Sequence, residues 1–360
     1  MTEQLLTEDI ARISGAIPEV EKLHGASVLV TGASGLIGSL TARALLDADR
    51  RHGLGLTVYA LARDRQRLQK AVGAESGALR HVLCDLDRDA LPCPPADYVF
   101  HCASPTASAY FCSRPVETFS SIVHGTEKIL RQAAESGQTK KIVFLSSIEV
   151  YGAVVEKRRI PESYQGYVDP LQVRSSYPMA KRMAECLCKS YCSEYGVPAV
   201  IARLTQTFGP GISPSDRRVF VQFAESALNG SDLVLHTPGQ SAKPYVYTVD
   251  AVTALFYLLF RGENGCAYNV ANEDTLCTIR EMAELVSGLG EKPVRVVFSP
   301  KADAVYPPDT YLNPDCSRLR ALGWEPHTGL AEMYRRLMGH LSANFERYDE
   351  SERILAQDLH

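Results

Sequence analysis

Ser27-Val28-Leu29-Val30-Thr31, followed by Gly32-Ala33-Ser34-Gly35-Leu36-Ile37-Gly38, is the stretch on which the fold turns. The β-branched run predicts a strand, and the residues from Leu36 to Asp47 predict a helix. Between them Gly32 permits a tight turn, Gly35 lets the main chain approach a pyrophosphate, and Gly38 lets helix and strand pack closely. Ser34, Leu36 and Ile37 complete the turn, and the exposed N–H groups at the helix start favour phosphate charge. Glycines alone carry little; set between a strand and a helix, they predict a dinucleotide site.

Outward from this turn the chain repeats the same rhythm. Strands are predicted at Ser27–Thr31, Leu56–Leu61, Arg80–Cys84, Tyr98–His101, Lys141–Leu145 and Ala199–Arg203, with helical stretches between most of them. That pattern belongs to an α/β protein, a doubly wound parallel (Rossmann) sheet built from right-handed βαβ units. After Arg203 the breaker-rich Thr205–Pro214 and shorter mixed elements predict a smaller C-terminal substrate lobe. The expected organisation is an N-terminal helical extension over 1–24, a dinucleotide-binding domain over 25–204 and a mainly substrate-binding lobe over 205–345. Parts of that lobe are allowed to return to the sheet, and a tail covers 346–360. Leu5, Ile10, Ile13 and Ile17 give the N-terminal extension its apolar side.

Composition removes several function classes. With 45% hydrophobic residues and a formal charge of −4, the chain is globular and has no general affinity for nucleic acid or an anionic membrane surface. Arg50-Arg51 and Lys157-Arg158-Arg159 are too short for a binding stripe and read as solvated surface. The longest apolar run, Ala251–Phe260, is half of what a bilayer needs and reads as a buried helix. The N-terminus carries acids early and lacks a basic-then-apolar leader, so a cytoplasmic location is expected. Of ten cysteines only Cys186, Cys188 and Cys192 cluster, and residues two apart on a helix diverge, so no metal is expected.

The cofactor and catalytic residues follow from where strands end. The second strand runs into Ala60-Leu61-Ala62-Arg63-Asp64, without the usual acid for a ribose 2′-hydroxyl. Arg63 there suits a 2′-phosphate, which favours NADP, or stacks on adenine; Asp64 is the alternative ribose partner. Asp85, followed by Leu86, is placed to accept from the adenine amino group, and Ala103 is assigned to the same site. Ser175-Ser176-Tyr177-Pro178-Met179-Ala180-Lys181 sets Tyr177 and Lys181 on one helix face, where the ammonium is expected to lower the phenol pKa. At the end of the fifth strand stands Ser146-Ser147-Ile148-Glu149-Val150-Tyr151-Gly152. There Ser147 can share a substrate oxygen with Tyr177, and Glu149 is a second acid–base group.

In this order and spacing, the glycine turn, the serine-rich strand end and Tyr-x-x-x-Lys resemble the extended short-chain dehydrogenase/reductase superfamily. More narrowly, they resemble its NAD-dependent nucleotide-sugar epimerases, dehydratases and decarboxylases. Arg203–Pro210, Asp216–Val219, Leu228–Gly230, Lys243–Tyr247 ahead of Asp250, and Asn313–Trp324 are similar to segments of UDP-glucuronate decarboxylases. The resemblance covers Ala26 to about Leu337. It implies a Ser147, Tyr177, Lys181 triad assisted by Glu149, with NAD as cofactor. It also implies a UDP-linked substrate held by Gln206, Arg218, Lys243 and Tyr245, and a homodimer joined through the helices Val116–Ser136 and Tyr177–Tyr195.

Four residues depart from the family pattern. Gln206 replaces Asn, Lys243 replaces Arg with loss of a planar fork, and Ile122 replaces Asn. Ile148 replaces the acid that 4,6-dehydratases carry, which counts against dehydration. The expected function is a nucleotide-sugar enzyme working through a 4-keto intermediate, foremost a UDP-glucuronate decarboxylase. An NAD-dependent 4-epimerase, an NADP-dependent ketosugar reductase and a non-catalytic dinucleotide sensor are the alternatives.

Overall fold

Short apolar strands that alternate with helices are stable only when both sheet faces are covered, and the chain builds that arrangement. The computed structural model describes residues 2–154, 156–213, 216–300 and 309–343. Six strands come first: β1 (Ser27–Thr31), β2 (Thr57–Ala62), β3 (Leu79–Leu83), β4 (Tyr98–His101), β5 (Lys141–Ser147) and β6 (Ala199–Leu204). The next three, β7 (Gln206–Phe208), β8 (Leu233–Leu235) and β9 (Ala242–Tyr247), lie outside this sheet, and β10 (Ala267–Val270) returns to it. The spatial order is β10-β6-β5-β4-β1-β2-β3, with every pair parallel. The winding direction reverses between β1 and β4, and the carboxyl ends of those strands open the crevice in which such sheets bind ligands.

Alternation along each strand feeds two separate cores. Leu29, Leu61, Val99, Ile142, Phe144 and Ile201 point to one face; Val28, Ala60, Phe100, Val143 and Val200 point to the other. Seven helices attend the sheet: α1 (Thr2–Gly15), α2 (Leu36–His52), α3 (Arg65–Val72), α4 (Ser108–Ser113), α5 (Pro115–Ser136), α6 (Ser176–Tyr195) and, after α7 (Val219–Leu228), α8 (Thr248–Arg261). Helices α5 and α6 pack together over one face, and α1, α2 and α8 over the other. The apolar run Ala251–Phe260 is indeed a buried helix, the centre of α8. Helix α1 is fastened by Ile10 and Ile13 in the core and by buried Asp9, which binds Arg336 at 2.9 Å and the Tyr247 hydroxyl.

The second lobe is built from a three-stranded sheet β11-β9-β7, with β11 at Asn272–Thr278, and from a parallel pair, β8 with β12 (Val296–Phe298). Helices α7, α9 (Ile279–Ser287), α10 (Ser317–Arg320) and α11 (Leu330–Ser342) complete it. The expected boundary at 204/205 is therefore not a clean cut, because α8 and β10 go back to the first domain. Strand β6 leaves an open edge, and β10 satisfies its backbone groups. The expected tail over 346–360 lies outside the described residues. Among the described residues no helix is long and apolar enough to cross a membrane.

Candidate active site

A cavity of about 600 Å³ opens at the reversal of the sheet. It is lined by the glycine turn, by the ends of β2 to β5, by the start of α6, and by Gln206, Arg218 and Lys243 from the lobe.

Its dinucleotide half is shaped by backbone. Gly32 has φ of 66°, and a Cβ there would lie 2.8 Å from the Ala103 nitrogen. A Cβ at Gly38 would lie 2.3 Å from the Gly32 carbonyl oxygen, so the helix start can approach the turn only as glycine. The Thr31 hydroxyl holds both walls: it accepts from the Ala103 N–H at 3.1 Å and bonds His101 Nδ1 at 2.8 Å. Burial presses the His101 pKa down to about 3, so the ring is a neutral strut. Ser34, Gly35, Leu36, Ile37, Arg63, Asp85, Leu86 and Ala103 all line the cavity. A glycine cradle at a helix N-terminus beside an apolar Leu86 wall fits a dinucleotide. Asp64 is engaged elsewhere, capping α3 by accepting from Arg67 N–H at 2.9 Å, and does not line the cavity. That leaves Arg63 as the polar side chain closing β2.

The other half carries the acid–base groups. Strand β5 ends at Ser147, whose Oγ accepts from the Glu149 N–H at 3.2 Å and caps the 3₁₀ turn Ile148–Tyr151. Tyr177 and Lys181 stand one turn apart on α6, both buried. Lys181 donates to the Leu145 carbonyl at 2.6 Å, and burial pushes its pKa down to about 8. Phe111 stacks on Tyr177 with ring centres 4.2 Å apart and planes within 7°.

The Tyr177 phenol stands between opposed influences. Burial, and next the Glu149 carboxylate, hold the phenol well above its ordinary pKa. A hydrogen bond with Ser147 and the charges of Arg174 and Arg218 draw it back. The Lys181 ammonium is turned to a backbone carbonyl and sits 5.8 Å from the Tyr177 ring centre.

From the lobe, Arg218 is chelated by Asp216, with Nε at 3.0 Å from both carboxylate oxygens. Lys243 enters from β9 with no carboxylate in ion-pair range among the described residues, and burial lowers its pKa. The side-chain oxygen of Gln206 is buried without a hydrogen-bond partner among the described residues. Tyr245 is not where the family pattern implied. It is fully buried, does not line the cavity, and its ring packs edge-on against Phe208 at 5.8 Å.

Sequence reading missed three contributors. Arg174, from the 3₁₀ turn Val173–Ser175, reaches the Glu149 carboxylate at 2.9 Å. Its signal was present: it lies one turn ahead of Tyr177. Phe111 arrives from a distant segment and left no local sign. Glu185 forms a buried bridge with Arg203 at 2.7 Å and accepts from the Ser146 hydroxyl at 2.5 Å, bracing the strand end that carries Ser147. Arg203 also donates to the Tyr151 hydroxyl at 3.0 Å, so it serves this brace and not the cavity.

A doubly wound parallel sheet with a glycine cradle at its reversal, and a serine, tyrosine and lysine converging beside it, defines a dinucleotide-dependent enzyme of the short-chain dehydrogenase/reductase type. The chain belongs to the NAD dependent epimerase/dehydratase family, whose model matches residues 28–271. Its cofactor class is accordingly NAD. Among relatives, it is 30% identical to UDP-glucuronic acid decarboxylase 3 of Arabidopsis thaliana, over 85% of this chain and 86% of that one. Its fold matches the Bordetella bronchiseptica enzyme WbmF in complex with NAD+ and UDP, with a TM-score of 0.76 at 22% identity, covering 94% of this chain and 98% of that one. It also matches the UDP-glucuronic acid 4-epimerase of Bacillus cereus, with a TM-score of 0.74 at 19% identity, covering 89% and 100%.

Proposed function

We propose that this enzyme decarboxylates UDP-glucuronate through a 4-keto sugar. The observation that carries the reading is the charge around Tyr177. Arg174, paired with Glu149, Arg218, paired with Asp216, and Lys243, with no carboxylate in ion-pair range among the described residues, stand near it, and Glu149 and the two arginines act electrostatically on both Tyr177 and Lys243. A diphosphate and a sugar carboxylate together supply the anions that such a cluster lacks. A neutral hexose supplies only the diphosphate.

Gly32, Gly35 and Gly38 would hold NAD, which would supply the hydride acceptor for C4. The chain's own groups do the rest. Tyr177 removes the C4 hydroxyl proton, and Ser147 donates a hydrogen bond to the same oxygen. A carboxylate β to the resulting ketone leaves readily as carbon dioxide, and its bond electrons remain as an enolate. Ser147 and Tyr177 stabilise the oxygen of that enolate, while Glu149 orients the ring and relays the proton that C5 takes up; return of the hydride to C4, with the Tyr177 proton going back to its oxygen, then gives the pentose. Phe111, stacked on Tyr177, covers one face of its ring and holds the phenol in place.

The convergence of Ser147, Tyr177 and Lys181 speaks against a silent sensor, which needs none of them. A 4-epimerase shares the first step and differs by rotation of the ketone before the hydride returns. Incubation with a panel of nucleotide sugars, followed by mass spectrometry, tests the reading. A UDP-pentose formed from UDP-glucuronate supports it; an isobaric product from a UDP-hexose overturns it in favour of epimerisation.

A further inference from the structure

The three cations near the acid–base centre are held in different ways. Arg218 is already chelated by Asp216, and Lys243 reaches in from the opposite lobe. Arg174 stands one turn ahead of Tyr177, behind the cavity-lining Glu149. Its Nη2 donates to one Glu149 oxygen at 3.1 Å and lies 2.9 Å from the other. Among the described residues this is its one hydrogen-bonded partner, and because Nη2 carries two N–H bonds, one of the two forks it shares with Nε or with Nη1 stays open. The side chain is half-exposed, and its guanidinium lies 5.5 Å from the centre of the Phe111 ring. Phe111 in turn stacks on Tyr177. The open edge is thereby indexed, through one ring, to the phenol that handles the C4 oxygen.

Sugar chemistry fixes what such an edge can meet. In a hexuronic acid the carboxylate hangs on C5, the carbon next to C4. With the C4 oxygen at Tyr177, the carboxylate falls within a few ångströms of that hydroxyl. A planar guanidinium fork matches a carboxylate with two parallel hydrogen bonds, which an ammonium cannot do. A second carboxylate beside Glu149 would also be repelled, and a guanidinium between them removes that repulsion.

We infer that Arg174 selects a carboxylated sugar: its open N–H fork binds the substrate carboxylate while the other N–H of Nη2 keeps Glu149 alongside. This names a specificity residue for the uronate reading above and rests on it. A neutral sugar leaves the half-exposed edge to water at little cost, so selection comes from affinity gained by the acid.

Calorimetry on the NAD-loaded enzyme tests this with UDP-glucuronate, UDP-glucose and UDP as ligands. R174Q is expected to weaken UDP-glucuronate by about 10- to 100-fold, the range for a hydrogen bond to a charged group. UDP-glucose and UDP should change less than about 3-fold, since a lost contact worth well under 1 kcal/mol gives no more. R174K, which keeps the charge and loses the fork, should recover part of the loss. Because UDP reports the folded site within the same variant, misfolding is separable from lost selection. Equal weakening of all three ligands would make Arg174 a brace for Phe111 and overturn the inference, as would an unchanged preference. Retained loss of preference without carbon dioxide release would sustain Arg174 as the selector while removing decarboxylation. A wild-type enzyme with no preference for the acid would remove both.

Discussion

At the scale of single residues, the acid–base centre is a set of opposed charges around one buried phenol. Tyr177 is held up by burial and by Glu149, and drawn down by Ser147, Arg174 and Arg218. The base is the phenolate, so the rate rises with pH until Tyr177 is deprotonated. Glu149 raises that pKa, and removing its charge lowers it. Glu149→Gln should therefore move the rising limb of the kcat/KM profile to lower pH. It should also reduce turnover by about 10²-fold, the scale for losing an acid–base group, with little change in substrate affinity. Steady-state kinetics across pH checks this; a limb that stays in place separates Glu149 from Tyr177. Ser147, Tyr177 and Lys181 were legible in the sequence because short spacing on one helix and one strand end brings them together. Phe111 was not, since only the folded path of the chain sets it against Tyr177. Tyr245 was misassigned because the aromatic cluster around Phe208 claims its ring.

At the scale of elements, the junction of β2 and α3 decides how the adenosine end is read. Asp64 spends its carboxylate on the α3 N-cap, and Arg63 is left facing the cavity. Arg63→Ala should weaken NADP by about 10-fold or more, the scale of a charged hydrogen bond, and weaken NAD much less. Fluorescence titration with both dinucleotides checks it, and equal small effects would remove the case for a 2′-phosphate contact. The strands themselves were legible from β-branched runs between helices. Ser27–Thr31 and Tyr98–His101 have the expected bounds, two others slip by one residue, and β5 and β6 run on to Ser147 and Leu204. The return of β10 was not legible: its four residues, Ala267–Val270, carry no periodic signal and become a strand only beside the open edge of β6.

At the scale of the whole molecule, the two lobes meet at one cavity, and the outer faces of α5 and α6 are left uncovered. Ile129 is in the core, and Leu187 and Tyr191 pack against that core from a half-buried position. On these two helices the exposed large apolar side chains are Val116 at 72%, Phe119 at 38%, Met183 at 46% and Tyr195 at 59%. Apolar exposure of this kind on paired helices suits docking to a second copy. We predict a dimer by light scattering at micromolar concentration; a monomer there contradicts it.

The central claim is that carbon leaves the sugar, and the gas itself is the most direct measurement. UDP-glucuronate labelled with ¹³C at C6, incubated with the NAD-loaded enzyme, should release labelled carbon dioxide in step with UDP-pentose. Tyr177→Phe should lower that release by about 10²-fold or more while NAD binding persists. No labelled gas, with a neutral UDP-hexose converted cleanly instead, would contradict the account.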